Sequence, residues 1–186
     1  MIKRLTDIIL GIIAAIIIFP IMILCAIAIK LESKGPIFFL QNRSGVNGKL
    51  FKIFKLRTMV QNASKVGPVL TQKADPRITK VGAFLRRSSL DELPQIINVL
   101  KGEMSLVGPR PEVPQITDTY DEELKEVLKY KPGITGMSQI NGRAALDIVP
   151  KIRMEIAYQR RATFFSDLLI MLKTPWALIT NRGNVM

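Results

Sequence analysis

Twenty-two consecutive residues near the start of the chain, Ile8 to Ile29, carry no charge and are dominated by Ile, Ala and Leu. At about 1.5 Å of rise per residue, a helix of this length can cross a hydrocarbon core of roughly 30 Å. The run is too long for a signal-peptide core, and Lys30-Leu31-Glu32 is no small-residue cleavage site. Pro20 stands near its middle, where it removes a backbone hydrogen bond and crowds the preceding turn, so a kink is expected there. Both flanks are basic: Lys3 and Arg4 precede the run, and Lys30, Lys34, Arg43, Lys49, Lys52, Lys55 and Arg57 follow it. The positive-inside rule draws both ends to the cytoplasmic side. A helix that enters, breaks at Pro20 and returns satisfies both flanks, with halves of about 16 Å. On these residues alone, spanning and re-entrant readings both stay open.

The rest of the chain restricts the chemistry. Of 186 residues none is histidine, which excludes a Ser-His-Asp triad, His general bases and His-ligated metals. Cys25 is the only cysteine, so no disulfide framework or Cys-rich zinc site is available. The net charge of +12 favours anionic partners such as nucleotides, phosphates or anionic lipid. Carboxylates, Lys, Arg, hydroxyls and a hard metal ion are what remains. We find no internal repeat or low-complexity tract, and divide the chain into residues 1–34, a membrane helix with its flank, and 35–186, a catalytic domain.

Residues 37–59 read as a β-hairpin around Ser44-Gly45-Val46-Asn47-Gly48. Gly48-Lys49 is no phosphate loop, because Arg43 stands where the first glycine belongs and Leu50 follows the lysine. Residues 60–76 read as an exposed loop. A helix is predicted over 119–130, with a capping box of Thr119 and Glu122 that explains the acids Asp121, Glu122 and Glu123 without any metal. Residues 146–180 read as a helical region interrupted by Pro175, whose apolar patches, basic edges and Trp176 suit the membrane interface as well as a core-facing helix.

The chemistry centres on Arg86-Arg87-Ser88-Ser89-Leu90-Asp91-Glu92, just before the apolar run Ile96 to Leu100. Ser89 and Glu92 have capping-box spacing, so helix capping alone explains the acids. Nearby stand Gly108-Pro109-Arg110-Pro111, whose prolines stiffen a cation, and a second loop punctuated by Gly133, Gly136 and Gly142 that ends in Asn141-Gly142-Arg143. Adjacent acids among arginines form a sensible phosphoryl-transfer site: carboxylates hold Mg²⁺ or attack phosphorus, and guanidinium groups neutralise phosphate oxygens.

The run from Arg86 through Lys101-Gly102-Glu103-Met104-Ser105-Leu106-Val107 to Pro111, with Lys131-Pro132-Gly133-Ile134-Thr135-Gly136, resembles the bacterial sugar transferases, specifically the small monotopic phosphoglycosyl transferases. Gly35-Pro36-Ile37-Phe38-Phe39 and Phe54-Lys55-Leu56-Arg57-Thr58-Met59 extend the resemblance over nearly the whole chain. The resemblance implies an α+β, mainly helical fold with a re-entrant membrane helix broken near Pro20, a small hairpin and interfacial amphipathic helices. It implies transfer of a phosphosugar from a UDP-sugar to undecaprenyl or another polyprenol phosphate, with release of UMP, as the first membrane step of glycoconjugate assembly. Asp91 is then the nucleophile that forms a covalent phosphosugar intermediate. Glu92 binds Mg²⁺, and Arg86, Arg110 and Arg143 meet the phosphates or the nucleotide. The active site is expected at the cytoplasmic face of the inner membrane, with membrane lipids as partners and no nucleic acid. The chain departs from the pattern at Met137 and Ser138, where tryptophan and alanine are common, and at Glu155, where aspartate is frequent. Without further N-terminal membrane helices it is expected to be the minimal form. The competing readings are a membrane-anchored basic nucleic-acid-binding protein and a non-catalytic membrane adaptor.

Overall fold

A computed structural model describes residues 2–63, 67, 75–142 and 147–180. Helix α1, Ile2–Glu32, is one helical element with Pro20 inside it. Its 31 residues reach about 46 Å at the usual rise, so a re-entry would bend one helix rather than join two separate halves. Ile16, Ile17, Phe19 and Leu24 are among many large apolar side chains it exposes, as a membrane-seeking surface requires.

Both ends of α1 are fastened to the same body by polar residues outside the apolar run. At the start, Arg4 donates to Val99 O at 2.6 Å and Leu100 O at 2.8 Å. These carbonyls lie in the last turn of α3, Ile96–Lys101, where Val99 O also accepts the Gly102 N–H that caps the helix. Asp7 Oδ1 accepts from Ser105 Oγ and Leu106 N, both at 3.0 Å. At the far end, the Glu32 carboxylate accepts the Val81 N–H at the start of α2, Lys80–Ser88. Arg57 donates to Ser33 O at 2.8 Å and Lys34 O at 2.9 Å. Gly35 makes that clamp possible: its φ is +121°, and a Cβ there would stand 2.1 Å from the Arg57 guanidinium.

The expected hairpin is present. Strands β1, Phe38–Ser44, and β2, Leu50–Leu56, pair antiparallel with Phe38 opposite Leu56 and Ser44 opposite Leu50. Asn47 and Gly48, at φ 54° and 75°, supply the left-handed residues of the turn. Asn98, fully buried on α3, acts as a third strand for β2: its Oδ1 accepts Phe54 N at 3.0 Å and its Nδ2 donates to Lys52 O at 2.8 Å. Ile53, Ile96, Val99 and Met104 close the core beneath it, with Ala14 and Ala15 of α1 packed alongside.

Three local expectations are corrected. Thr119 does not cap the helix that follows it. Asp121 does, accepting from Leu124 N at 2.8 Å, and the helix, which follows the one-turn α4, Pro114–Thr117, is a short α5, Glu122–Lys125, continued by a 3-10 turn at Glu126–Lys129. Pro175 lies inside α8, Phe164–Ile179, without ending it. The interruption falls instead between α7, Ile148–Gln159, and α8, where Thr163 and Ser166 form a capping box. Third, the glycine-rich stretch read as a loop holds β4, Gly133–Thr135, which pairs in parallel with β3, Ser105–Val107. α8 leaves Phe165, Leu169, Leu172 and Trp176 exposed while Ile170 and Ala177 are buried, the division of an amphipathic interfacial helix.

The β3–β4 pairing brings two backbones unusually close, since a Cβ on Gly133 would lie 2.1 Å from Gly108 N. Gly133→Ala is expected to cost about 3 kcal/mol through overpacking. A thermal melt beside wild type checks this, and an unchanged midpoint would refute the close packing.

Candidate active site

Three segments deliver the site. The first is β2, which carries Lys55 on the face of buried Ile53, two residues before it. The second follows α2, where Ser89 adopts φ 57° and closes that helix; the chain then turns through a 3-10 segment, Leu90–Gln95, that carries Asp91 and Glu92. The third leaves β3 as Gly108-Pro109-Arg110-Pro111.

They converge on Glu92. Its Oε1 accepts from Lys55 Nζ at 2.9 Å and from Arg110 Nη2 at 2.8 Å, and Oε2 accepts from Arg110 Nη1 at 3.3 Å. Burial alone would raise this carboxyl, but Arg110 and then Lys55 outweigh it and hold Glu92 well below the usual carboxylate range. Glu92 in turn raises the Arg110 guanidinium. Capping does not account for this glutamate, whose oxygens are taken by cations from two other elements, and Ser89 makes no side-chain cap.

Asp91 differs in every respect. It is 8 % exposed, and its carboxylate accepts no hydrogen bond among the described residues. Burial first, and the adjacent Glu92 charge second, push it up to about 6, while Lys55, Arg86 and Arg110 oppose the shift. Two neighbouring carboxylates are thus split by environment, one largely taken up by cations and one left with open lone pairs.

Arg86 donates through Nε to Thr58 Oγ1 at 2.8 Å and feels the Asp91 charge; burial lowers its guanidinium. The expected residues Arg86, Asp91, Glu92 and Arg110 therefore surround one place, whereas Arg143 lies outside the described residues. Pro20, in the middle of α1, belongs to the membrane-directed segment.

Sequence reasoning missed Lys55 as a site residue, although its strand period with Ile53 marks it as inward-facing. It also missed the support behind Arg110. Half-buried Arg43 donates to Pro111 O at 3.0 Å, and Ser44 N donates to Glu112 O at 3.0 Å. Glu112 is paired with Lys151 of α7, which first among its neighbours keeps that carboxyl low against its burial. Burial, then the nearby Arg110, depress the Arg43 guanidinium to about 10. Glu155 of α7, 2 % exposed, accepts the Ser138 N–H at 2.7 Å at the start of α6, Met137–Ile140, so this departure from the family pattern lies under the segment leading to Arg143.

Among the described residues no group of three or more Asp, Glu, Cys or His side chains gathers to hold a metal. A site of one or two carboxylates still suits Mg²⁺, which keeps several waters and shares phosphate oxygens. A carboxylate offers about four lone-pair positions, and three on Glu92 are used, so Oε2 retains one beside the open Asp91 carboxylate.

The chain matches the bacterial sugar transferase family model over residues 1–181. It is 42% identical to a UDP-N-acetylgalactosamine-undecaprenyl-phosphate N-acetylgalactosaminephosphotransferase of Aeromonas hydrophila, over 98% of this chain and 44% of that protein. A UDP-glucose:undecaprenyl-phosphate glucose-1-phosphate transferase of Caulobacter vibrioides is 40% identical over 96% of this chain and 70% of its own length. The exopolysaccharide production protein ExoY of Sinorhizobium fredii is 37% identical over 98% and 87%. The chain thus spans less than half of the Aeromonas relative but most of the other two. Aligned from its first helix to the end of α8, this chain belongs to the bacterial sugar transferase family.

Proposed function

We propose that this chain transfers a phosphosugar from a UDP-sugar to a polyprenol phosphate such as undecaprenyl phosphate, releasing UMP, through a covalent intermediate on Asp91. The observation that carries the reading is the unequal pair: Asp91 accepts no hydrogen bond among the described residues, whereas three of the roughly four acceptor positions on Glu92 are taken by Lys55 and Arg110. In the first step an Asp91 oxygen forms a bond to the β-phosphorus of the donor. The bond from that phosphorus to the bridging oxygen breaks, and UMP leaves with the electron pair. In the second, a phosphate oxygen of the lipid attacks the same phosphorus, and the Asp91–phosphorus bond breaks. The carboxylate is restored and the product is a polyprenyl diphosphate sugar.

Lys55, Arg86 and Arg110 outnumber the two carboxylates, so the pocket keeps positive charge for the diphosphate after Glu92 is paired. Arg110 presents its guanidinium from a proline-flanked segment whose flank is tied by Arg43, so little entropy is lost on ordering it. A bound Mg²⁺, held by the remaining Glu92 lone pair and donor phosphate oxygens, would offset the negative charge on the leaving phosphate. The relatives' names supply the donor and acceptor classes, and the sugar itself stays to be identified by assay.

The membrane reading is re-entrant, with the body on the cytoplasmic face of the inner membrane. It is supported by the polar clamps at both ends of α1, which a span separating those ends by a bilayer would break.

UMP release by the purified protein, given Mg²⁺, undecaprenyl phosphate and a panel of UDP-sugars, tests the reaction. Asp91→Asn is expected to lower turnover by about three orders of magnitude, within the range seen for loss of a nucleophile. Intact mass without lipid acceptor should show one phosphosugar on the wild type only. Chelation should abolish release reversibly. Equal release by Asp91→Asn would remove this residue as nucleophile.

The pH profile gives a second check. Asp91 must be ionised to attack, so activity should fall as the pH drops through about 6. Glu92→Gln removes the neighbouring negative charge, and whatever activity remains should show its acid limb at lower pH; an unmoved limb would refute the coupling. A protonated Asp91 binds its proton more tightly folded than unfolded, between the ordinary 3.8 and about 6. The wild type therefore loses stability as pH rises through that window, and Asp91→Asn should melt higher than wild type at pH 8 but not at pH 4.

Topology is checked with single cysteines placed at Ile2 or Lys34 in a Cys25→Ser background. An impermeant maleimide should reach both from the cytoplasmic side alone. Labelling from opposite sides would establish a span and leave the transfer chemistry untouched.

A further inference from the structure

Where the start of α1 meets the end of α7 and the start of α8, a cavity of about 450 Å³ opens, within the range of small-ligand sites. Lys3, Asp7, Gln159, Thr163 and Asp167 supply its polar lining, and Ile2, Phe164 and Met171 its apolar lining. It is separate from the residues gathered around Asp91.

Its two acids are differently placed. Asp167 is satisfied: Lys3 pairs with its Oδ2, and Tyr158 OH donates to its Oδ1 at 2.6 Å. Asp7 is only 4 % exposed, and its Oδ1 receives two neutral donors, Ser105 Oγ and Leu106 N. Nothing among the described residues donates to its Oδ2, and no ion pair answers its charge. Asp7 Oδ2 thus faces the cavity as an unmet acceptor, where a cation would complete the carboxylate. Lys3, which uses two of its three N–H donors on Asp167 and Val107 O, has one left for an anionic group. The cavity thus offers an acceptor for a cation beside a donor for an anion.

The walls narrow the choice further. The lining comes largely from α1 and α8, whose outward faces are apolar and exposed. An occupant that is zwitterionic at one end and apolar at the other fits this placement. We propose that the cavity binds the headgroup of a membrane phospholipid carrying a primary ammonium, as in phosphatidylethanolamine. The ammonium N–H groups donate to Asp7 Oδ2, the phosphate faces Lys3, and the acyl chains run out past Phe164 and Met171. A quaternary ammonium has no N–H to donate, and a headgroup without an amine leaves Asp7 unanswered. The proposal rests on membrane association of α1 and α8 and not on the transfer chemistry, so lipid binding is read directly, without substrate.

The test is native mass spectrometry of the delipidated full chain in detergent, titrated separately with phosphatidylethanolamine, phosphatidylcholine and phosphatidylglycerol of equal chain length. Retention of phosphatidylethanolamine should exceed that of the other two by about tenfold, one well-made charge-assisted contact's worth. Asp7→Asn keeps the Oδ1 acceptor for Ser105 and Leu106 but turns a donor towards the ammonium, so the preference should vanish. Met171→Trp, which touches no polar contact, should reduce retention by filling the cavity and serves as the arm independent of folding at Asp7. Equal retention of phosphatidylcholine, stronger retention of phosphatidylglycerol, an unchanged preference in Asp7→Asn, or soluble phosphoethanolamine binding as tightly as the lipid would each overturn the proposal.

Discussion

One carboxylate holds three separate pieces of chain together. Glu92 meets Lys55 from the hairpin and Arg110 from the segment after β3, while its own backbone belongs to the 3-10 turn beyond α2. Had the three cohered only through apolar packing, their relative positions could slide by the width of a methyl group. Paired hydrogen bonds from a planar guanidinium fix both distance and orientation. The arrangement is not a source of stability in itself, because desolvating the charges offsets much of their attraction. Its effect is positional: with Lys55 and Arg110 bonded to Glu92, the adjacent Asp91 is held beside the same cations without being tied to any of them. Asp91 is therefore unsatisfied, which is costly for folding and is the property that the proposed attack on phosphorus would use.

That poise depends on supports some distance away. Asn98 substitutes for a missing strand along β2 and so sets the height of Lys55 against the 3-10 turn. Arg43 and Ser44 hold the carbonyls of Pro111 and Glu112, and Lys151 of α7 holds the Glu112 carboxylate. Each contact uses a polar group that is buried or nearly so, where loss of its partner leaves a full desolvation penalty. The site is thus a chain of satisfied polar groups that ends in one deliberately open oxygen pair.

Much of this was readable before any coordinates. The apolar run, the hairpin with its Asn47-Gly48 turn, and the cluster of Arg86, Asp91, Glu92 and Arg110 all follow from local patterns. What escaped was of two kinds. Capping was misassigned wherever several candidates lay within three residues: Asp121 won over Thr119 because it stands three residues before Leu124, whose N–H it accepts, while the Thr119 hydroxyl donates back to Ile116 O, and Ser89 ended one helix instead of starting another. Long-range pairings were also invisible. Nothing local to Lys55 announces Glu92, 37 residues away, and nothing near Gly133 announces a parallel partner at Ser105. Pro175 shows the same limit from the other side. A proline that ends an isolated helix is tolerated in α8, where Thr174 hydroxyl bonds to Ile170 O and to Thr135 tie that turn to β4.

The membrane helix is part of the same construction. Asp7 holds the first residues of β3 and Lys3 its last carbonyl, and three residues beyond Val107 comes Arg110. Arg4 occupies the carbonyls that close α3, the helix carrying Asn98. At the other end Glu32 and Arg57 bind α1 to α2 and to the hairpin exit, next to Thr58, which holds Arg86. Each segment that carries a cation around Asp91 is therefore tied to α1 directly or through one neighbouring element. A tether that only raised local concentration would need a single attachment and a flexible linker. Fastening at both ends is instead the arrangement expected if the site is assembled correctly only when α1 lies along the body, so that withdrawing the helix from its seat displaces Arg110 and Lys55 together.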